Sequence, residues 1–231
     1  MRLYDRLRRL QFRYGARAPR RLMTYLVGAM AMVFVADYLL GPGFGISISS
    51  LFAFDRAAIF SGQIWRVLTF TILPPDSSIF FMAFALYFYY LIGNTLEEEW
   101  GSFWFDIYYL CGVIGTIVSG LITGYATNFY LNMSLFFAFA VMYPNFQMLV
   151  FFFIPVKIKW LAIIDAVWFL LAFLLGGWAD RAAILAALAN FFLFFGPSFL
   201  QGVRQEIKVR KRRAEFNREY RKGQDRGNRP W

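Results

Sequence analysis

The placement of charge constrains this chain more than any motif in it. Eight arginines crowd residues 1–21, and eleven lysines or arginines fall in 204–231. Only Arg56, Arg66, Lys157, Lys159 and Arg181 remain for everything between. That middle is built from apolar blocks. Apolar residues make up 59% of the whole chain and 29 residues are Phe, whereas soluble domains hold about 45–50% apolar residues. A helix crosses hydrocarbon with about 20 apolar residues. Lipid offers backbone groups no partners, so each crossing segment must be helical. The expected class is an all-α integral membrane protein in contact with the lipid bilayer.

Six spans are predicted. The first is Leu22–Leu40, closed by Gly41-Pro42-Gly43. A half-apolar stretch from Phe44 to Ser77 follows, too interrupted by Asp55, Arg56, Arg66 and Pro74-Pro75 to cross. It reads as a long outer loop. The second span is Ser78–Leu96, stopped by Glu97-Glu98-Glu99, and the third is Phe103–Tyr125. The fourth, Phe129–Tyr143, is short and ends at Pro144-Asn145. It cannot reach across about 30 Å of hydrocarbon and is expected to be enclosed by the others. Residues 146–156 read as an apolar segment docked at the interface. The fifth span is Trp160–Leu175, and the sixth is Ala182–Phe195, ended by Gly196-Pro197.

Six crossings put both termini on one side, and cation counting fixes which. With the termini inside, both basic ends, Lys157 and Lys159 lie on the cytoplasmic face. Only Arg56, Arg66 and Arg181 are left outside. The organisation expected is a basic segment over 1–21, a membrane domain over 22–200 and a basic tail over 201–231, in a bacterial cytoplasmic membrane. The N-terminus reads as uncleaved, because no small-residue cleavage site follows its apolar run. The basic ends are expected to bind anionic lipid headgroups, each cation contributing about 1 kcal/mol. The tail begins as helix-compatible sequence and ends in a Gly, Asn, Asp and Pro mixture that reads as disordered. Phe216 and Tyr220 are the only aromatics among its cations before Trp231. That is thin support for stacking on bases, so nucleic acid is not an expected partner.

Two absences limit the chemistry. There is no histidine, the usual base for activating serine and the commonest metal ligand. Cys111 is the only cysteine, so no intramolecular disulfide or thiolate metal site can form. It reads as a small apolar residue in a span. No cofactor or metal is expected.

Four landmarks stand in a particular order. GQIWRVLTF (Gly62–Phe70) lies in the long loop, and IGNTLEEEWGS (Ile92–Ser102) closes the second span. The short fourth span runs into Tyr143-Pro144-Asn145, and IPVKIKWLA (Ile154–Ala162) leads into the fifth. Over about residues 22–200 this pattern resembles the rhomboid superfamily. The matching positions are Trp65 and Arg66; Gly93, Leu96, Glu97 and Gly101; and Pro155 and Lys157. The resemblance implies a six-helix rhomboid-like bundle with a long outer loop after the first helix. It also implies an ancestry among intramembrane serine proteases.

The catalytic positions implied by that family are vacated together. Its serine lies in G-x-S-G at the start of the fourth span. Here the nearest candidate is Asn132-Met133-Ser134-Leu135, with both glycines gone, and ungapped counting back from Pro144 lands near Phe129 instead. Its His and Asn pair would fall within Ile79–Ala85, which holds neither. Its base histidine would fall near Ala183–Ile184. The expectation is therefore a pseudoprotease that binds membrane-protein clients without cleaving them, with no catalytic residue. Two alternatives remain: residual endopeptidase activity from Ser134, or a transporter or channel built on Asp165.

Other core positions carry structural expectations. Asp165 and Asn190 sit inside spans and need polar surroundings or partners. Asp37 and Asp106 lie nearer span ends and are expected to reach water. Gly112, Thr116 and Gly120 form a small-residue seam for close helix packing, with a dimer face as the lesser reading. Arg66 beside Trp65 is expected to anchor the outer loop at the interface, its guanidinium reaching lipid phosphate.

Overall fold

The computed structural model describes residues 18–45, 47–75, 78–150 and 154–195. The basic segment 1–21 is thus seen only from residue 18. The tail 201–231 and Gly196-Pro197 lie outside the described residues. By contact the chain divides into two units, Met1–Phe191 and Phe192–Trp231. The first unit holds the helical bundle, whose last helix runs on to Phe195.

The molecule is mostly helical. Among the described residues five helices are long and apolar enough to cross a membrane: α1 (Leu22–Phe44), α5 (Ile79–Trp100), α6 (Ser102–Thr123), α8 (Ile158–Leu175) and α9 (Trp178–Phe195). The loop after α1 holds α2 (Ile48–Phe52), β1 (Phe54–Asp55), α3 (Arg56–Phe60) and α4 (Arg66–Thr69), then a 3-10 turn over Phe70–Ile72. Between α6 and α8 lie β2 (Tyr125–Ala126), α7 (Phe129–Met142), β3 (Gln147–Val150) and β4 (Ile154–Lys157). β1 pairs antiparallel with β2, tying the long loop to the exit of α6, and β3 pairs antiparallel with β4.

Several boundaries differ from the sequence reading, each for a local reason. Glu97, Glu98 and Glu99 do not stop α5, which continues to Trp100. Glutamate is a good helix former, and the helix ends at Gly101, whose φ of +82° breaks the ladder. α1 likewise runs through Gly41, Pro42 and Gly43 to a Gly45 cap at φ +65°. A proline in the last turn forfeits one bond there without unravelling the turns before it. α8 and α9 begin earlier than expected, at Ile158 and Trp178. The segment expected to dock over 146–156 does so, with Phe146 packed on Phe139 of α7 and Met148 buried, but its described residues include two paired strands that the sequence reading did not foresee. Pro155 is tolerated because each strand of a two-stranded sheet has an open edge, and its backbone sits opposite Leu149.

The core lies on α7. Nine of its 14 residues are buried, while the crossing windows of α1 and α8 are only 17% and 11% buried. At 1.5 Å per residue α7 is about 21 Å long. α1 packs on α5, α5 on α6 and α7, α6 on α7, and α7 on α8. α9 closes against α6 and α7 through Asn190, Ala186, Ile184 and Phe191. The outward faces of α1, α5, α8 and α9 are broadly apolar, with Met32, Leu39, Tyr87, Ile164, Leu171 and Leu193 exposed. This is the arrangement of an integral membrane protein, whose lipid-facing surface need not be polar.

Candidate functional site

α7 and its cap carry three of the buried polar residues, Asn128, Asn132 and Ser134. Asn128 opens it. Its Nδ2 donates to the Thr71 carbonyl at 3.1 Å and the Leu73 carbonyl at 2.8 Å, fastening the long loop to the helix start. Two residues on, the Tyr130 hydroxyl donates to Asp180 Oδ1 at 3.0 Å, and Asp180 Oδ2 accepts the Gly177 amide. At the other end of the bundle Trp100 Nε1 meets the Met142 sulfur at 3.1 Å and Tyr143 donates to Glu99. That bond is the main reason the pKa of the half-buried Tyr143 phenol is raised above its ordinary value.

Ser134 lies mid-helix and is 1% exposed. Its hydroxyl donates to the Leu131 carbonyl at 2.7 Å, and its own carbonyl accepts the Tyr108 hydroxyl at 3.0 Å. No base holds the serine proton. A serine activated for attack needs a general base within hydrogen-bond reach, and this one spends its hydrogen on backbone.

Apolar contacts dominate around the second and sixth spans: Met82, within Ile79–Ala85, is buried, and Ala183 and Ile184 sit in an aromatic cluster. Phe88 of α5 packs on Phe136 at 5.4 Å. Phe137 stands edge-on to Phe169 at 5.1 Å, as does Tyr130 at 5.5 Å. Ala183, Ile184 and Ala187 of α9 complete that cluster.

A second polar group is smaller and more telling. Asn132 is 2% exposed, and neither its Oδ1 nor its Nδ2 has a hydrogen-bond partner. The Tyr89 side chain from α5 lies beside it, near enough for the two to interact though outside hydrogen-bond geometry. Asp165 from α8 and Tyr109 from α6 lie within electrostatic reach of Tyr89. The Tyr109 hydroxyl is buried without a partner too. Polar side chains from three other helices thus lie within reach of Tyr89. Asp165 reaches it because it shares a face of α8 with Ile158 and Phe169, the two buried residues of that helix. The sequence signal for Tyr89 is its stripe with Ile92, Gly93 and Leu96; the signal for Asn132 is its isolation in an apolar helix. Neither signal says that they meet.

The motif residues all take structural parts. Arg66 does not reach for lipid. It is 9% exposed; its Nη1 donates to the Ser50 and Ala53 carbonyls, each at 2.8 Å, and its Nε to Gln63 Oε1 at 2.7 Å. Buried guanidinium needs such partners, and the loop folds round it to supply them. Trp65 is half exposed and donates to the Leu51 carbonyl at 3.4 Å. Arg56 bonds the Leu121 and Ile122 carbonyls at the end of α6, and Arg181 bonds the Phe173 and Leu174 carbonyls at the end of α8. Each of the three cations expected on the outer face therefore binds backbone oxygen.

Gly93 is where α1 and α5 meet, since a Cβ there would lie 2.4 Å from Met23 Cβ. Leu96 is fully buried. Glu97, 7% exposed, accepts the amides of Arg21 and Leu22 and the Ser102 hydroxyl. Pro155 and Lys157 lie in β4, with Lys157 at the N-terminal boundary of α8.

The small-residue seam packs inside the chain. A Cβ on Gly112 would meet Leu131 at 2.3 Å and Asn190 at 2.9 Å; one on Gly120 would meet Ala126 and Phe54, each at 2.7 Å. Thr116, between them, turns its hydroxyl back onto the Gly112 carbonyl. A face so occupied is not open to a second copy. Asn190 gains one interhelical bond, Nδ2 to the Tyr108 carbonyl at 3.3 Å, and its Oδ1 has none. Asp37 accepts the Ile48 and Ser49 amides, capping α2. Asp106 is half-buried, and its two carboxyl oxygens, expected to reach water, are covered and have no partner among the described residues. Among the described residues no group of three or more acidic or Cys side chains could hold a metal.

No protein-family model matches the chain, and no curated protein matches it either.

Proposed function

We propose that this is a rhomboid-like pseudoprotease of six transmembrane helices, α7 being the short one, that binds the membrane segments of client proteins without cutting them. Both basic ends lie on the cytoplasmic side of a bacterial membrane in this reading. The observation that carries it is the pairing of an intact framework with a silenced serine. Arg66, Gly93, Glu97 and Gly101 each hold a joint of the fold, while Ser134 is enclosed and donates to its own helix. A hydrolase needs the reverse, a reachable nucleophile beside a base.

The test is crosslinking in native membranes. A photoreactive residue at Ile164, exposed on α8, is expected to capture membrane proteins at their uncleaved mass. A control at Ile114 on α6 is expected to capture fewer. Equal capture at both sites, or none across growth conditions, would refute client binding.

One observation favours a second reading, ion or proton movement through the bundle. Asp165, Tyr89, Tyr109 and Asn132 form a polar locality at a depth where unpaired polar groups are costly. Under this reading Asp165→Asn abolishes a flux in proteoliposomes with no change in folding. Under the client-binding reading no flux exists to abolish.

A further inference from the structure

A cleft of about 460 Å³ opens between the start of α1 and the last turns of α5. Its charged and polar lining includes Arg20, Arg21, Asn94, Glu97, Glu98 and Ser102. Much of the floor is already committed. Glu97 takes two backbone amides of α1 and the Ser102 hydroxyl, and Asn94 Oδ1 takes the Thr24 hydroxyl. What is left over faces the space. The Arg20 and Arg21 guanidiniums and the Glu98 carboxylate are exposed. None of them has a side-chain hydrogen bond or ion pair among the described residues, and the Asn94 amide nitrogen has no acceptor there.

We propose that this cleft binds the headgroup of a zwitterionic phospholipid carrying a primary amine, its phosphodiester against Arg20 and Arg21 and its ammonium against Glu98. Depth supports this occupant. Arg21 immediately precedes the apolar window Leu22–Gly41, and Glu98 lies in the last turn of α5. The cleft therefore opens where hydrocarbon gives way to headgroups. Tyr90 and Leu91, two turns deeper on α5, continue its wall as apolar surface along which an acyl chain can descend.

Charge decides between headgroups. Guanidinium matches phosphate oxygens in pairs and stays charged at any relevant pH. A purely anionic headgroup would satisfy the two arginines but lie against Glu98, with Glu97 behind it. A phosphodiester joined to an ammonium answers both signs. The ammonium must also donate hydrogen bonds to a carboxylate, which a trimethylated amine cannot do. This site does not rest on the client-binding reading, because it lies at the α1–α5 joint and needs no second protein.

The experiment is native mass spectrometry of the purified full-length protein in detergent, with a melting curve on each sample. Phosphatidylethanolamine, phosphatidylcholine, phosphatidylglycerol and inorganic phosphate are titrated separately. Phosphatidylethanolamine is expected to bind in one tight equivalent and raise the melting midpoint. Arg20→Gln should weaken it about fivefold, the effect of losing one interfacial cation. Glu98→Gln should erase the preference over phosphatidylcholine while leaving overall lipid binding. Both positions are exposed, and melting without lipid checks that each variant is folded. The wild type alone supplies a further reading: retained phosphatidylethanolamine should resist an excess of phosphatidylglycerol. Displacement by phosphatidylglycerol overturns the proposal. So does an unchanged preference in Glu98→Gln, or inorganic phosphate stabilising as much as lipid, which would mark a free-anion site.

Discussion

Glu97 reaches across 76 residues of sequence to take the backbone amide of Arg21 at 2.6 Å, and its second oxygen takes Leu22 at 3.1 Å. The first amides of any helix lack partners within it. Here a carboxylate from the end of α5 supplies them, and the helix dipole favours negative charge at that spot. The same carboxylate accepts the Ser102 hydroxyl, so one side chain joins the starts of α1 and α6 to the end of α5.

Glu97→Ala removes three hydrogen bonds to two carboxylate oxygens at a buried joint and is expected to cost about 3 kcal/mol, at about 1.5–3 kcal/mol for a hydrogen bond to a charged group less what water recovers. Glu97→Gln keeps one acceptor oxygen and should cost about half as much. Melting midpoints of the three proteins in one detergent give the order: wild type, then Gln, then Ala. A Glu97→Ala protein as stable as wild type would mean that the joint is held elsewhere.

Sequence makes the long helices legible because lipid imposes one rule on all of them: an apolar block of sufficient length must be a helix. What ends a helix is harder to see. Glu97–Glu99 look like a stop because they are charged, yet backbone conformation, not polarity, ends α5, and Gly101 alone supplies it. The β3–β4 hairpin is hidden for a related reason. FQMLVFFFIPV is apolar on both faces, so it shows no period of two by which a strand could be recognised. Arg66 misleads because a cation beside a tryptophan suggests an interface; that it is walled in by Ser50 and Ala53 is a property of the folded loop. The meeting of Tyr89, Tyr109, Asn132 and Asp165 depends on the packing of four helices, which no single segment encodes.

Gly93 and Gly115 should respond oppositely to alanine. A Cβ on Gly93 would lie 2.4 Å from Met23 Cβ, an atom fixed to the backbone, so α1 and α5 must part. A Cβ on Gly115 would meet Ala186 Cβ at 3.5 Å, ordinary contact. Gly93→Ala is expected to lose about 1–3 kcal/mol by overpacking. Gly115→Ala is expected to be neutral or to gain up to about 1 kcal/mol from helix propensity. Reversible unfolding in mixed micelles measures both.

Ser134→Ala tests the silenced serine directly. The substitution removes a single bond to the Leu131 carbonyl, so stability should fall by no more than about 1 kcal/mol. Incubation of either protein with a reporter helix in lipid should give the same uncleaved band. A product made by wild type and lost in Ser134→Ala would restore the protease and remove the pseudoprotease reading.

Asp106 presents the opposite case, a carboxylate whose two oxygens are buried and unpartnered, with Glu97 within electrostatic reach. Burying charge without a partner is costly. Asp106→Asn keeps the shape and removes the charge, so it should raise the melting midpoint, by about 1 kcal/mol in unfolding free energy. A loss of stability instead would reveal a cation or donor that Asp106 serves.

Asn132→Leu separates the two readings of the bundle interior. The amide is 2% exposed and makes no well-formed hydrogen bond among the described residues, so its removal costs only its weak interaction with Tyr89. Leucine has the same branched outline but more bulk, so the gain from exchanging an unsatisfied polar group for an apolar one is offset by the cost of overpacking, about 1–3 kcal/mol. If the protein only holds clients, Asn132→Leu is expected to melt near the wild-type midpoint and to capture the same clients from Ile164. If Asn132 instead belongs to a conducting path with Tyr89 and Asp165, the same variant will be stable but carry no flux, as Asp165→Asn would. Stability, capture and flux measured on one variant therefore decide whether the polar locality is a residue of packing or the working part of the molecule.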